Sequence, residues 1–218
     1  MARVSEILDC HDPETREAAL TTAQEALQAG ECVVLPTDTV YGIGADAFSA
    51  HAVTVLLAAK GRNRTMPPPV LIGRMAVMDA LATDIPEEAR SLAEAFWPGG
   101  LTLILQAQPS LAWDLGETRG TVALRMPADD LALDLLGRTG PLAVSSANRT
   151  GLEAATTAEQ AKTMLGEAVA VYLADGDRST TRPSTIVDCT VSPVKVARDG
   201  AITLEELRAV VPEVLGGE

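Results

Sequence analysis

The chain has 218 residues, 47% of them hydrophobic and 22% charged, which suits one well-buried domain and excludes a disordered or fibrous protein. A formal net charge of −13 excludes broad polyanion binding, so any RNA contact would need a local basic patch. No apolar run approaches the roughly eighteen residues of a membrane span, and no apolar leader follows Arg3, so no membrane association and a cytoplasmic location are expected.

In chain order, Asp12-Pro13-Glu14 supplies a cap, a proline and early negative charge, and Leu20, Ala23 and Leu27 share one face before Gly30, which predicts a helix. Residues 32–35 are a short apolar run ended by Pro36, a strand feeding the loop 37–42. A second helix is predicted from Ser49, with Ala52, Val53, Leu56 and Leu57 turned inward and Lys60-Gly61 at its end. The prolines of 66–69 forbid helix and lead into a strand at 70–72; helices follow from about Met75 and over 86–96.

Strands are predicted at Leu101–Ala107, Thr121–Arg125 and 142–144, with a helix over 129–138 between the last two. Thr156-x-x-Glu159 and Thr203-x-x-Glu206 fit capping boxes, opening helices that Gly166 and Pro212 would close. Strands at 169–173, Thr185–Asp188 and 194–197 complete the count. This alternation predicts a single α/β domain over 1–218 with a mixed sheet flanked by helices.

Cys10, Cys32 and Cys189 are scattered without a C-x-x-C pair, which argues against a disulfide framework or thiolate zinc site. His11 and His51 are the only histidines, so a histidine metal site or triad is not expected, and both are read as surface residues near helix starts.

Residues 48–77 hold no Asp or Glu, yet Lys60, Arg62, Arg64 and Arg74 fall there. These cations can complement the preceding helix's C-terminal dipole, or they can clamp a phosphate, with Gly61 turning the backbone; composition leaves both readings open. Polar clusters 36–42, 145–148, 183–185 and 198–200 sit at predicted strand ends, where α/β domains place sites, although each alone reads as turn or cap chemistry. Arg125, after apolar strand residues, needs an anionic partner. Gly42-Ile43-Gly44-Ala45-Asp46-Ala47 matches a dinucleotide fingerprint by pattern, but its glycines do not directly follow the strand, and Lys60 stands where an acid is required.

The ordered blocks Pro36-Thr37-Asp38-Thr39-Val40-Tyr41-Gly42, Lys60-Gly61-Arg62, Trp97-Pro98-Gly99-Gly100-Leu101-Thr102, Thr121-Val122-Ala123-Leu124-Arg125-Met126-Pro127, Ser146-Ala147-Asn148, Ser184-Thr185-Ile186-Val187-Asp188 and Arg198-Asp199-Gly200-Ala201 resemble those of the YrdC/TsaC family. The resemblance implies a single twisted domain around a concave, positively charged cavity. It implies an L-threonylcarbamoyladenylate synthase that condenses L-threonine, bicarbonate and ATP, with Mg2+ on the phosphates, and whose product a separate transferase complex carries to tRNA. By motif position, Thr39, Arg125, Val144 (through backbone groups) and Ser184 would contact threonine. Lys60, Arg62, Thr121, Ser146, Asn148 and Arg198 would contact ATP, with Lys60 and Arg62 catalytic and Lys60 close to both substrates.

Met66 and Leu71 depart from the common family pattern, which has Asn and His there, putting one nucleotide and one threonine contact in question. The chain reads as the short family form, and the connection 175–183 as a lid over a labile carbamate. Three other readings compete. A module binding tRNA directly is opposed by the charge and the 3% aromatic content. Carbamoyl-phosphate chemistry is opposed by the lack of zinc-finger cysteine pairs, and a non-catalytic nucleotide sensor by the joint presence of Lys60, Arg62, Ser146, Asn148 and Arg198.

Overall fold

Residues 5–217 are described in the computed structural model, and among them eleven strands form one mixed sheet. The strands are β1 (Glu6–Asp9), β2 (Val33–Leu35), β3 (Gly42–Asp46), β4 (Val70–Leu71), β5 (Ala82–Thr83), β6 (Leu101–Ala107), β7 (Thr121–Arg125), β8 (Leu142–Ser146), β9 (Val171–Ala174), β10 (Thr185–Asp188) and β11 (Lys195–Arg198). Their spatial order is β1-β9-β2-β3-β8-β4-β7-β6-β10-β11, with β5 beside β6. The helices are α1 (Pro13–Gln28), α2 (Ala50–Lys60), α3 (Val77–Leu81), α4 (Glu87–Phe96), α5 (Asp130–Thr139), α6 (Ala158–Leu165) and α7 (Leu204–Val210).

Period-two alternation divides the strands between two cores. Val34, Val70, Ala143 and Tyr172 belong to the larger apolar cluster with α2, α4 and α6. Their sequence neighbours Val33, Leu35, Leu71, Leu142, Val144, Val171 and Leu173 belong to a second cluster with α1 and α5. The central strands continue the larger core through Leu101, Leu103, Leu105, Val122, Leu124 and Val187. Their opposite face carries Thr102, Ile104, Thr121, Ala123, Arg125 and Ile186, and there a cavity opens. Register enforces this: Leu71 lies beside Arg125, Ile104 beside Ala123, and Ile186 beside Thr102. The face that α1 and α5 cover at β2, β8 and β9 is left open at β7, β6 and β10.

Local chemistry explains most element ends. Asp12 caps α1 by accepting from the Glu14 N–H at 2.8 Å, and Ser49 caps α2 by accepting from Ala52 at 3.2 Å. Thr203 and Glu206 form the expected capping box of α7. The expected box at Thr156 is built one residue later. Thr157 is the cap and accepts from Gln160 N–H at 3.1 Å, while Gln160 Oε1 accepts from Thr156 N–H at 2.9 Å.

The sequence patterns gave no strand at β1, β3 or β5. In β3 the glycines serve close packing rather than a turn: a Cβ on Gly42 would lie 2.6 Å from Val144 Cγ1, and one on Gly44 would lie 3.2 Å from Leu35 Cδ2. His11 and His51 are exposed beside the starts of α1 and α2, and all three cysteines are buried thiols. Burial pushes each thiol up to about 12, so they pack as small hydrophobes.

Candidate active site

Helix α2 delivers the first two cations. Gly61 closes it in the left-handed region (φ 65°), and the Arg62 N–H donates to Leu57 O at 2.9 Å. This turn separates the side chains of Lys60 and Arg62. Lys60 is 1% exposed and runs behind the loop after β8, where Nζ donates to Ser146 O, to Asn148 O at 2.7 Å and to Asn148 Oδ1 at 3.2 Å. The loop answers through Thr150, whose N–H and Oγ1 both donate to Lys60 O, at 3.1 and 2.9 Å. Burial and, secondarily, Arg62 push the Lys60 ammonium down to about 7. Three acceptors match the three protons of an ammonium, which a neutral amine could not satisfy.

Asn148 is equally occupied: Oδ1 also accepts from Ser146 Oγ at 2.6 Å, and Nδ2 donates to Arg149 O and Leu152 O at 3.1 and 2.6 Å. Lys60 and Asn148 therefore hold the loop from behind and stand outside the cavity lining. The other eight candidates, Thr39, Arg62, Thr121, Arg125, Val144, Ser146, Ser184 and Arg198, do line one cavity of about 290 Å³. The Val144 N–H is already used by Pro69 O at 2.8 Å.

Three guanidinium groups meet this cavity. Arg62 donates to Ser145 Oγ at 3.0 Å while its Nε is buried without a partner. Arg198 donates to Ser184 O through Nε and Nη2, at 3.2 and 2.6 Å, and to Ser184 Oγ at 3.1 Å. Neither has a carboxylate within ion-pair distance among the described residues. Burial lowers the affinity of both for their protons, and repulsion from Arg125 and Arg62 adds to this at Arg198. Arg125, 6% exposed, is fully braced: Nε donates to Gly99 O at 2.9 Å, Nη1 to Thr39 Oγ1 at 3.0 Å and Nη2 to Asp38 Oδ1 at 2.8 Å. The anionic partner required of Arg125 by its setting is Asp38.

Hydroxyl groups fill the space between the cations. Ser184 Oγ and Thr102 Oγ share a hydrogen bond of 2.7 Å, and Thr121 Oγ1 donates to Thr118 O at 2.8 Å. Leu71 also lines the cavity, on its apolar wall, whereas Met66 is exposed outside it. Asp38, Ser145 and Thr102 were not singled out from sequence. The first two lie inside the polar clusters 36–42 and 145–148 and could have been found there; Thr102 follows from the register of β6 with β10.

The connection 175–183 is pinned at its start. Tyr41 Oη donates to Gly176 O at 2.8 Å and accepts from the Asp175 N–H at 3.1 Å. Arg178 lies 5.5 Å over the Tyr41 ring and reaches Asp129 at 3.1 Å. Its far end, Pro183, borders the cavity.

A mixed α/β sheet whose open face carries three converging guanidinium groups, two without a counter-charge, defines an anion-binding domain with an enzyme-like cleft. Residues 25–200 match the Sua5/YciO/YrdC family model, described as telomere recombination, and the chain belongs to that family. A Mycobacterium tuberculosis protein provisionally named a threonylcarbamoyl-AMP synthase is 49% identical over 98% of this chain and 96% of its own length. The Bacillus subtilis threonylcarbamoyl-AMP synthase is 37% identical over 95% of this chain, which spans 59% of that protein. The crystal structure of P. abyssi Sua5 complexed with L-threonine superposes with a TM-score of 0.89 at 32% identity, covering 98% of this chain and 63% of that one.

Proposed function

We propose that this chain is a threonylcarbamoyl-AMP synthase, joining L-threonine, bicarbonate and ATP with release of pyrophosphate. The observation that carries the reading is the convergence of Arg62, Arg125 and Arg198 on one cavity, where among the described residues only Arg125 is paired to a carboxylate. The names of the relatives and the threonine-bound Sua5 structure support it.

In this reading the threonine carboxylate meets Arg125, held by Thr39, with the Ser184 hydroxyl beside it. The threonine amine forms a bond to the carbon of CO₂ and gives up a proton, or to that of bicarbonate, whose C–OH bond breaks so that the hydroxyl leaves with an amine proton as water, and either route gives a carbamate. A carbamate oxygen then attacks the α-phosphorus of ATP, the bond to the bridging oxygen breaks, and pyrophosphate leaves with that electron pair. Such in-line transfer needs positioning and charge stabilisation rather than a covalent nucleophile. Arg62 and Arg198 supply fixed positive charge for the phosphates. Ser146 and Thr121 present hydroxyls toward the nucleotide, and Lys60 and Asn148 keep the Ser146 loop in place from behind. Lys60 thus acts on the reaction by holding the wall, with its charge close to the phosphates but screened by the loop.

Mg2+ would enter on the phosphates. Among the described residues no group of three or more His, Cys, Asp or Glu could hold a metal, and the cavity offers hydroxyl oxygens, a donor set that fits an ion already carried by ATP. The segment after Arg178 would serve as a lid hinged where Tyr41 and Asp129 pin it. The product would pass to a separate tRNA-modifying transferase, and the reaction would take place in the cytoplasm; no helix among the described residues is long and apolar enough to cross a membrane.

The test is direct. Purified protein incubated with ATP, threonine and bicarbonate should form threonylcarbamoyl-AMP by mass spectrometry, with pyrophosphate release that requires threonine and bicarbonate together. Equal pyrophosphate release without threonine would refute the reading.

A further inference from the structure

The guanidinium groups of the cavity are not electrostatically equivalent. Asp38 meets Arg125 from outside the cavity lining, with Oδ1 accepting from Nη2 at 2.8 Å and from the Ala128 N–H at 2.9 Å. Arg125 and Asp38 are both largely buried, with side chains 8% and 17% exposed, so their charges cancel at short range with little screening by salt. Arg62 and Arg198 keep their full charge. Bracing of Arg125 alone would not need a carboxylate, since Gly99 O and Thr39 Oγ1 show that neutral oxygens can orient the same group.

We propose that Asp38 is a specificity-determining residue that sorts anions within the cavity: by neutralising Arg125 it leaves that residue able to bind a carboxylate through hydrogen bonds and shape, and confines phosphate chains to the two unpaired cations, Arg62 and Arg198. This rests on the reading of the cavity as a joint amino-acid and nucleotide site. Without Asp38 the cavity would present three unpaired cations to a polyphosphate long enough to bridge them. The chain would then occupy the place of the amino acid. Asp38 is a charge of the wrong sign for an anion site, and its use lies in that sign.

Inorganic tripolyphosphate is the probe. Calorimetry should show wild-type protein binding tripolyphosphate in competition with ATP and not with threonine. In Asp38→Asn, which keeps an oxygen for the Ala128 N–H, tripolyphosphate affinity should rise about tenfold or more and threonine should now compete with it. The double variant Asp38→Asn/Arg125→Gln should lose both the gain and the competition. Unchanged tripolyphosphate affinity in folded Asp38→Asn overturns the proposal, as does displacement of threonine by tripolyphosphate in the wild type. The wild-type arm decides the matter if Asp38→Asn does not fold. Because the affinity comparison needs no threonine, a protein that binds no threonine would refute the function while leaving the sorting by Asp38 separately judged.

Discussion

Lys60 and Arg62 are two residues apart and opposite in circumstance. Behind the 146–148 loop, each Lys60 proton meets an oxygen of the loop, and Asn148 is bonded at both its amide ends. On the cavity side, Arg62 has a buried Nε with no partner and no carboxylate near it. The hydrogen bonds of the backing are complete without a ligand, and those of the face are not. Substitutions behind the loop should therefore act on stability and turnover together, whereas those on the face should act on ligand affinity.

The largest effect is expected at Lys60. Lys60→Met leaves Ser146 O, Asn148 O and Asn148 Oδ1 without their shared donor, and should cost about 2 kcal/mol of stability, lowering the melting temperature by roughly 5 °C. Turnover should fall on the order of a hundredfold as the loop loses its place. Wild-type turnover in this variant would show that the wall needs no ammonium behind it.

Arg62→Ala should break the comparison in the other direction. Melting temperature should stay within a degree or so or rise, because a buried unpartnered group is removed, while the KM for ATP rises about tenfold or more. Arg62→Lys should not restore affinity fully, since a single ammonium lacks the planar fork. A large loss of stability with unchanged KM would place Arg62 with the backing.

Leu71 offers a smaller test of the face. It adjoins Arg125 in register on the apolar cavity wall, so Leu71→His adds a polar contact beside the proposed carboxylate site. The KM for threonine should fall a few-fold with turnover unchanged; an unchanged KM would show that the wall at this point does not meet threonine.

The smallest effect concerns pH. The Lys60 proton is released at about 7 in the folded chain against an ordinary value of 10.5, so between these limits the unfolded chain binds more protons. Stability of the wild type relative to Lys60→Met should therefore rise as pH goes from about 7 to about 10. Denaturant midpoints of the two proteins across that range check it, and a flat or falling difference would mean that the hydrogen bonds of the loop outweigh burial at Lys60.

The sequence was most legible where a single local signal decides an element. Asp12, Ser49 and Gly61 mark the ends of α1 and α2, and the apolar alternation of β6, β7 and β10 marks those strands at their observed bounds. It was least legible where a residue answers to a distant partner. Gly42 reads as the end of the loop 37–42 and Gly44 only as part of a fingerprint pattern, but they make room for Val144 and Leu35. Glu6–Asp9 is an edge strand, too short to show a pattern, with its register set by Val171–Ala174. Of the cations visible as a cluster without acids, only Arg62 lines the cavity and Lys60 stands behind its wall, whereas the motifs named eight residues that share one cavity. That Lys60 and Asn148 stand behind the wall, and that Asp38 neutralises Arg125, depends on which way side chains leave a turn, which spacing does not encode.

The place of β9 in the sheet has a consequence for the order of events in folding. Residues 171–174 lie between β1 and β2 and bond to both, so β1 gains its sheet neighbour, and β2 its second one beside β3, only when the ninth strand has been made. During synthesis β1 and the outer side of β2 must wait for most of the polypeptide, and this high contact order makes closure of that edge a late step. The loop 37–42 follows β2 directly. The wall that carries Thr39 and Asp38 thus reaches its final support late, after the distant strand has docked.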